Sequence, residues 1–508
     1  MKKVILPMSA IAAFALSAPS FAAQNNNAMS TTALSEQISQ LSAETKKLEH
    51  EVWLLKNNNQ HGGKPRVLFA HHKYEKTAET TVKKSRQKPW SHFVTVTTTP
   101  FMQKDTLYNG SDLLYNASSM NEDLLLLQQR KSLVNEMAKE GYKLDRPILQ
   151  ISGAVEGELM SSNGFGAATT SGVSLATGSL DFNAIASSWA SAFMSLDYNG
   201  APVSTGNRAP NSTIYLSRGF VTIGNLDKTP FYFTLGKMYI PFGRYENGMV
   251  STPVTLSMGK TLTPAALLGV SLHDGLFASV YGYSGAQTSG SGGDLFKQAG
   301  VNAGFKHAFA NDDNYSVGAG WVSNLADSEG MQNNGLNSAT QFSGFAATPN
   351  STTPTGNNLA HRVDAIDAHG QVTFGSVSFV GEYLGALEKF ATTDMTFNNV
   401  GATAVGAEPQ AMHAEIDYLL PFFAKKYGTT LGVSYGHTWQ ALALNLPENK
   451  YAVFLNTSIW RETVESIEYN HGTDYGTNQT ATGSGAGTAI VGTGKDSNAV
   501  LAEVGVYF

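Results

Sequence analysis

The sequence predicts an all-β transmembrane barrel of about 16 antiparallel strands, preceded by an N-terminal periplasmic α-helical and coiled-coil extension. Three observations predict it. At the C-terminus, Val500, Ala502, Val504, Val506 and Phe508 share one parity, and Leu501, Glu503, Gly505 and Tyr507 share the other. An apolar face for lipid, a mixed face for a wet lumen and a terminal aromatic at the interface describe the closing strand of a bacterial outer-membrane barrel. Charged residues make up only 15% of the 508, against about 25% in a typical soluble domain. Yet no apolar excess compensates, since the mean hydropathy is −0.16. Finally, alternating segments of roughly ten residues recur from Ile148 to the end, which is the barrel signature.

Residues 1–22 read as a signal peptide. Lys2 and Lys3 form the charged region, Val4 to Leu16 the apolar run, and Ser20-Phe21-Ala22 the small-residue cleavage site. That apolar run is too short to span a bilayer as a stable helix, and no longer one follows it. Residues 23–60 carry a coiled-coil or amphipathic helix. Leu34, Ile38, Leu41, Thr45, Leu48, Val52 and Leu55 recur at alternating spacings of four and three, an a/d seam with one polar position. The stripe needs a partner, either a second copy in a homo-oligomer or the protein's own barrel, because an isolated helix of this length is marginal in water.

Residues 61–147 form a basic linker and a short helix. Between His61 and Trp90 stand Lys64, Arg66, Lys73, Lys76, Lys83, Lys84, Arg86 and Lys88 against Glu75 and Glu79, a solvated tether by composition. His71-His72 invites a metal reading, but a solvated linker explains the pair as well. Ser119-Met-Asn-Glu122 is a capping box. The apolar residues from Leu124 to Met137 follow at helical spacing, and Gly141 supplies the stop. This helix either rests in the lumen as a partial plug or packs outside the periplasmic mouth.

The barrel spans 148–508. Its segments are joined alternately by short turns, such as His273-Asp-Gly275 and Phe374-Gly-Ser376, and by long Gly/Ser/Thr/Asn-rich loops near 325–361, 387–409 and 473–495. Short periplasmic turns and long extracellular loops fit that asymmetry. About sixteen strands enclose an aqueous channel, so function should reside in lumen-facing charges and in any loop folded inward. Parity gives an acidic lumen that includes Asp181, Asp367, Glu382, Glu415, Asp417, Glu468 and Glu503. The candidate pore-lining set is Arg218, Lys237, Arg244, Lys306, Arg362, Glu382, Glu415 and Asp417, with Phe508 as the assembly signal for barrel-insertion machinery. Lys237 is ambiguous, because both parities of Phe231 to Tyr239 are largely apolar.

No cysteine is present, so disulfides and thiolate metal sites are excluded. No cofactor, metal or nucleic-acid partner is expected, and outer-membrane lipids surround the barrel. An enzyme would need a nucleophile beside a general base. His413 and His437 lie in predicted strands, but spacing reveals no such set, so a non-enzymatic role is read.

Leu235-Gly-Lys-Met-Tyr-Ile-Pro-Phe-Gly-Arg244-Tyr-Glu246 is similar to a stretch of substrate-selective porins, more distantly the phosphate-selective type with an N-terminal coiled coil. Taken with Ser111-Asp-Leu-Leu, Ser119-Met-Asn-Glu-Asp-Leu, Leu127-Gln-Gln-Arg130, Arg146-Pro-Ile-Leu-Gln-Ile-Ser-Gly153 and Asn456-Thr-Ser-Ile-Trp-Arg-Glu-Thr-Val464, it resembles the LbtU-type siderophore porin family. The resemblance implies an outer-membrane route for a ferric polycarboxylate siderophore, and it fixes no ligand contact. An anionic chelate prefers a basic constriction, whereas parity gives an acidic lumen. Either the basic residues gather at one level or another small solute is carried. A general or anion-selective diffusion porin and a barrel-based surface adhesin are the alternatives. A TonB-dependent receptor is disfavoured, because 23–147 lacks the compact β-containing fold of a plug domain.

Overall fold

The computed structural model describes residues 95–98, 121–139, 143–144, 146–199, 213–285, 296–309, 313–334, 342, 344–345, 359–420, 428–460, 462–483 and 489–508. The signal peptide, the heptad stripe, the basic segment, Ser119 and Gly141 lie outside them.

The chain order begins β1 (Thr95–Thr98), α1 (Glu122–Lys139), β2 (Ile148–Asn163), β3 (Thr170–Ile185), β4 (Ala190–Asn199), β5 (Thr213–Gly224) and β6 (Phe231–Tyr239). Then follow α2 (Val254–Gly259), β7 (Leu262–Ser271), β8 (Leu276–Tyr283), β9 (Gln298–Ala308), β10 (Asn314–Val322), α3 (Glu329–Gln332), β11 (Ala365–Phe374) and β12 (Val377–Ala386). The remainder is β13 (Met395–Asn399), β14 (Gln410–Leu419), β15 (Thr430–Trp439), β16 (Asn449–Thr457), β17 (Thr463–Thr473), β18 (Gln479–Gly483), β19 (Ile490–Val491) and β20 (Asp496–Tyr507).

Seventeen of these strands form one sheet, and β1 is its single parallel member. The other sixteen pair antiparallel with their neighbours, and β20 returns to β2 with Ala154 opposite Tyr507 and Asn163 opposite Asn498. The ring is therefore closed and leaves no free edge. β13, β18 and β19 make a separate small sheet among the long connections.

Alternation explains the wall. Val500, Val504, Val506 and Phe508 are exposed on the outside, while Leu501, Glu503 and Tyr507 are buried inside, matching the period of two. β5 needs an extra device, because Leu216 points out while Arg218 points in. The register to β4 slips between Ser195/Leu196, so Ser217 is a bulge residue that shifts parity midway.

The alternating segments expected from Ile148 onward are the sixteen barrel strands, the first of which begins at Ile148. One difference matters: β11 starts at Ala365, which leaves Arg362, expected to line the pore, in the preceding loop. β1 pairs parallel with Ile148–Ile151, and it lies outside the alternation that begins at Ile148.

The short helix is where the sequence left two options open, and the structure takes the first: α1 enters the lumen from the end that bears the short turns. Leu124, Leu126 and Leu127 join the large apolar cluster with Phe193 and Phe220, and Leu133 packs on Ile148 and Ile185. Its polar residues are met as well. Thr234 donates to Asp123 Oδ2 (2.8 Å), and Arg130 donates to Ser191 Oγ (3.1 Å) and to the Gly224 carbonyl. Buried polar groups need such partners.

Candidate functional site

The connection between β6 and β7, residues 240–261, folds into the barrel and crosses it. Gly243 turns it at φ 74°, where a Cβ would stand 2.4 Å from the Tyr245 hydroxyl, so only glycine fits. Tyr245 itself is left-handed (φ 57°) with its ring buried. A conformation this costly for a bulky residue persists only where the surroundings fix it.

The surroundings are carboxylates on the opposite wall. Glu382 Oε1 on β12 accepts from the N–H groups of Arg244 (2.6 Å) and Tyr245 (3.0 Å). Glu415 on β14 accepts from Gly248 N (2.6 Å). Glu468 on β17 accepts from Val250 N (2.6 Å), Ser251 N (2.9 Å) and the Ser251 hydroxyl. Asn456 Nδ2 donates to Gly248 O (2.7 Å), and Lys450 Nζ donates to Ser251 Oγ (2.8 Å) and Thr252 O (2.7 Å). Charge-assisted bonds to backbone N–H groups are about twice as strong as neutral ones. Much of the acidic lumen that parity reveals is therefore a row of latches: Glu382, Glu415 and Glu468 are all buried and committed to the loop.

Between the loop, α1 and the β7–β8 turn lies a half-open cavity of about 320 Å³. Its charged lining is Lys131 from α1, Arg244 from the loop and Lys306 from β9, with His273 beside them and no carboxylate among the lining residues. Lys131 pairs with Asp227 (3.6 Å) and Arg244 with Glu246 (2.5 Å), and neither acid is among the lining residues. Arg244 also donates to Ser316 Oγ (3.3 Å).

The eight candidate pore residues thus separate. Arg244 and Lys306 meet at the cavity. Arg218 points inward but is engaged: its guanidinium lies 3.0 Å from Glu122, 2.9 Å from Ser195 Oγ and 3.7 Å from Asp181. Lys237 falls on the parity of the exposed Phe231, Phe233 and Leu235 and is half-buried. Arg362 is exposed in the loop before β11. Glu382 and Glu415 latch the loop, and Asp417 is buried on β14 at the same parity. Phe508 pairs its backbone with Gly153 in both directions (2.8 and 3.0 Å), and its ring covers that glycine. Sequence reasoning missed Lys131 as a cavity residue and the role of Lys450. The signal available for the first was its place on the helix, one turn after Gln128 and two after Leu124.

No family model matches the chain. It is 39% identical over 421 residues to a UPF0422 protein of Legionella pneumophila subsp. pneumophila, covering 81% of this chain and 76% of the relative. It is 34% identical over 416 residues to a UPF0422 protein of Coxiella burnetii, covering 80% and 83%. Among solved structures it is similar to the anion-selective porin from Comamonas acidovorans, with a TM-score of 0.45 at 10% identity over 72% of this chain and 100% of that one. The outer membrane channel DcaP of Acinetobacter baumannii gives a TM-score of 0.42 at 13% identity over 72% and 98%.

Proposed function

This chain belongs to the UPF0422 family, and we propose that it is an outer-membrane channel for a small anionic solute, most specifically a ferric polycarboxylate siderophore. The anionic preference rests on one observation. The lumen's carboxylates at Glu382, Glu415 and Glu468 are bonded to the inward loop, whereas the cavity beside that loop is lined by Lys131, Arg244 and Lys306 without a carboxylate. A cleft of one sign with low-dielectric walls focuses its field and raises the local concentration of the opposite charge. The siderophore itself comes from the LbtU-type resemblance of the sequence.

In this reading the end bearing the short turns faces the periplasm. Residues 1–22 are removed on export, and 23–60 and 61–147 form the periplasmic extension that ends in α1. The heptad stripe joins copies into an oligomer, and Phe508 is read by barrel-insertion machinery. No residue serves as a catalyst.

Liposomes containing the purified protein test it. Flux of a ferric tricarboxylate chelate should exceed flux of a neutral sugar of similar size. Lys306→Glu should reduce the first far more than the second. The difference should shrink at high salt, because the Debye length falls from about 10 Å at 0.1 M to about 3 Å at 1 M. Equal loss for both solutes would make this a general diffusion porin. No flux of either would favour a surface adhesin built on a plugged barrel.

A further inference from the structure

A second cluster lies on the wall under the inward loop, outside the cation-lined cavity. Asp367 and His369 alternate along β11 to the lumen side, and Glu382 on β12 is the register partner of His369. One ligand-capable atom from each of the three lies within 4.8 Å of the other two. Their exposures are 2%, 8% and 6%. His369 Nδ1 sits 2.6 Å from Asp367 Oδ2, while Asp367 Oδ1 is buried without a hydrogen-bond partner. Glu382 gives Oε1 to the loop N–H groups, so its second oxygen is left to the cluster.

The neighbouring strand makes room for this arrangement. A Cβ on Gly320 would stand 2.3 Å from Asp367 Oδ1, and one on Gly318 would stand 2.3 Å from His369 Nε2. Two glycines of β10 thus let the carboxylate and the imidazole lie flat across it. The Arg244 guanidinium is directed to Glu246 and Ser316, and only the backbone N–H of that residue reaches Glu382. Two buried carboxylates with one imidazole between them are costly unless a cation joins them.

We propose that Asp367, His369 and Glu382 bind one divalent transition-metal cation, for which two carboxylates and an imidazole are a suitable mixed O/N donor set. Coordination at about 2.0–2.2 Å draws the three side chains together, and the Asp367–His369 hydrogen bond gives way to shared ligation. The bound cation neutralises the cluster and joins β11 to β12. Through Glu382 Oε1 it also steadies the loop at Arg244 and Tyr245. This site does not depend on which solute the channel carries.

The probe is Zn²⁺ added to the full chain, purified in detergent and stripped with a chelator. Calorimetric titration and metal analysis after dialysis should give one Zn²⁺ per barrel at micromolar metal, with a rise in thermal midpoint. Asp367→Asn and Glu382→Gln should each weaken binding by roughly tenfold or more, as loss of a close supporting group does, and heat-modifiable gel migration reports that the barrel is intact. Gly320→Ala keeps every ligand but crowds Asp367 Oδ1, and it should weaken binding too. The proposal is overturned if the wild type binds no stoichiometric Zn²⁺, or if Asp367→Asn binds as the wild type does. It is also overturned if binding disappears with His71→Ala/His72→Ala alone, since the metal then belongs to the N-terminal histidine pair.

Discussion

Arg218 in the barrel wall and Glu122 in the first turn of α1 lie 3.0 Å apart, joining residues 96 positions distant in the chain. The same guanidinium stacks over Phe193 (5.6 Å) and reaches Asp181 and Ser195. A cation that parity alone places in the pore is thus the anchor of the helix that narrows it.

Removing that anchor should free the helix. Arg218→Ala leaves Glu122 and Asp181 buried without their cation, and breaking a buried pair from one side costs roughly 3–5 kcal/mol. Limited proteolysis should then cut within 122–139 while the barrel survives, and single-channel conductance should rise. Lys131→Ala is the control: its partner Asp227 is more than a third exposed, and surface pairs contribute about 0–1 kcal/mol. Equal protease resistance in all three proteins would mean that the apolar face of α1 alone holds it.

Glu468 tests the latches. It accepts from two backbone N–H groups and one hydroxyl of the loop tip, and hydrogen bonds to charged groups contribute about 1.5–3 kcal/mol each. Glu468→Ala should release 250–252 and produce a larger, noisier conductance, with a smaller change for Glu415→Ala, which loses one bond to Gly248. Wild-type conductance in both variants would show that Asn456 and Lys450 suffice to hold the tip.

Phe508 separates assembly from stability. Its backbone pairs with Gly153 whatever the side chain, and the ring is 43% exposed on the outer face. Phe508→Ala should therefore leave the unfolding free energy of the refolded barrel within about 0.5 kcal/mol of wild type, while lowering the amount inserted in cells. A large loss of stability with normal insertion would reverse that assignment.

The strands were legible because their information is local. A period of two over ten residues needs no distant partner, and Val500 to Phe508 declares both faces by itself. The inward loop was not legible. Nothing between Ile240 and Thr261 reveals that Arg244, Gly248 and Val250 meet Glu382, Glu415 and Glu468, which lie 138, 167 and 218 residues away. Parity told correctly that those carboxylates face inward. It could not tell a carboxylate facing water from one facing an N–H, and the proposed charge preference of the pore rests on that difference. Arg362 illustrates a boundary effect, since β11 starts three positions after it. Lys237 illustrates a strand whose two faces are both apolar. The heptad stripe, the tether and the signal peptide fall outside the described residues.

Glu382, Glu415 and Glu468 are committed to the inward loop, while Lys131, Arg244 and Lys306 line the cavity beside it, and the proposed anion preference rests on that contrast. The reversal potential of the purified protein in a planar bilayer under a salt gradient tests this most directly. Anion selectivity is expected, weakened in Lys306→Glu and in Arg244→Gln, with the barrel's gel migration unchanged. Cation selectivity in the wild type, unaffected by either substitution, would contradict it.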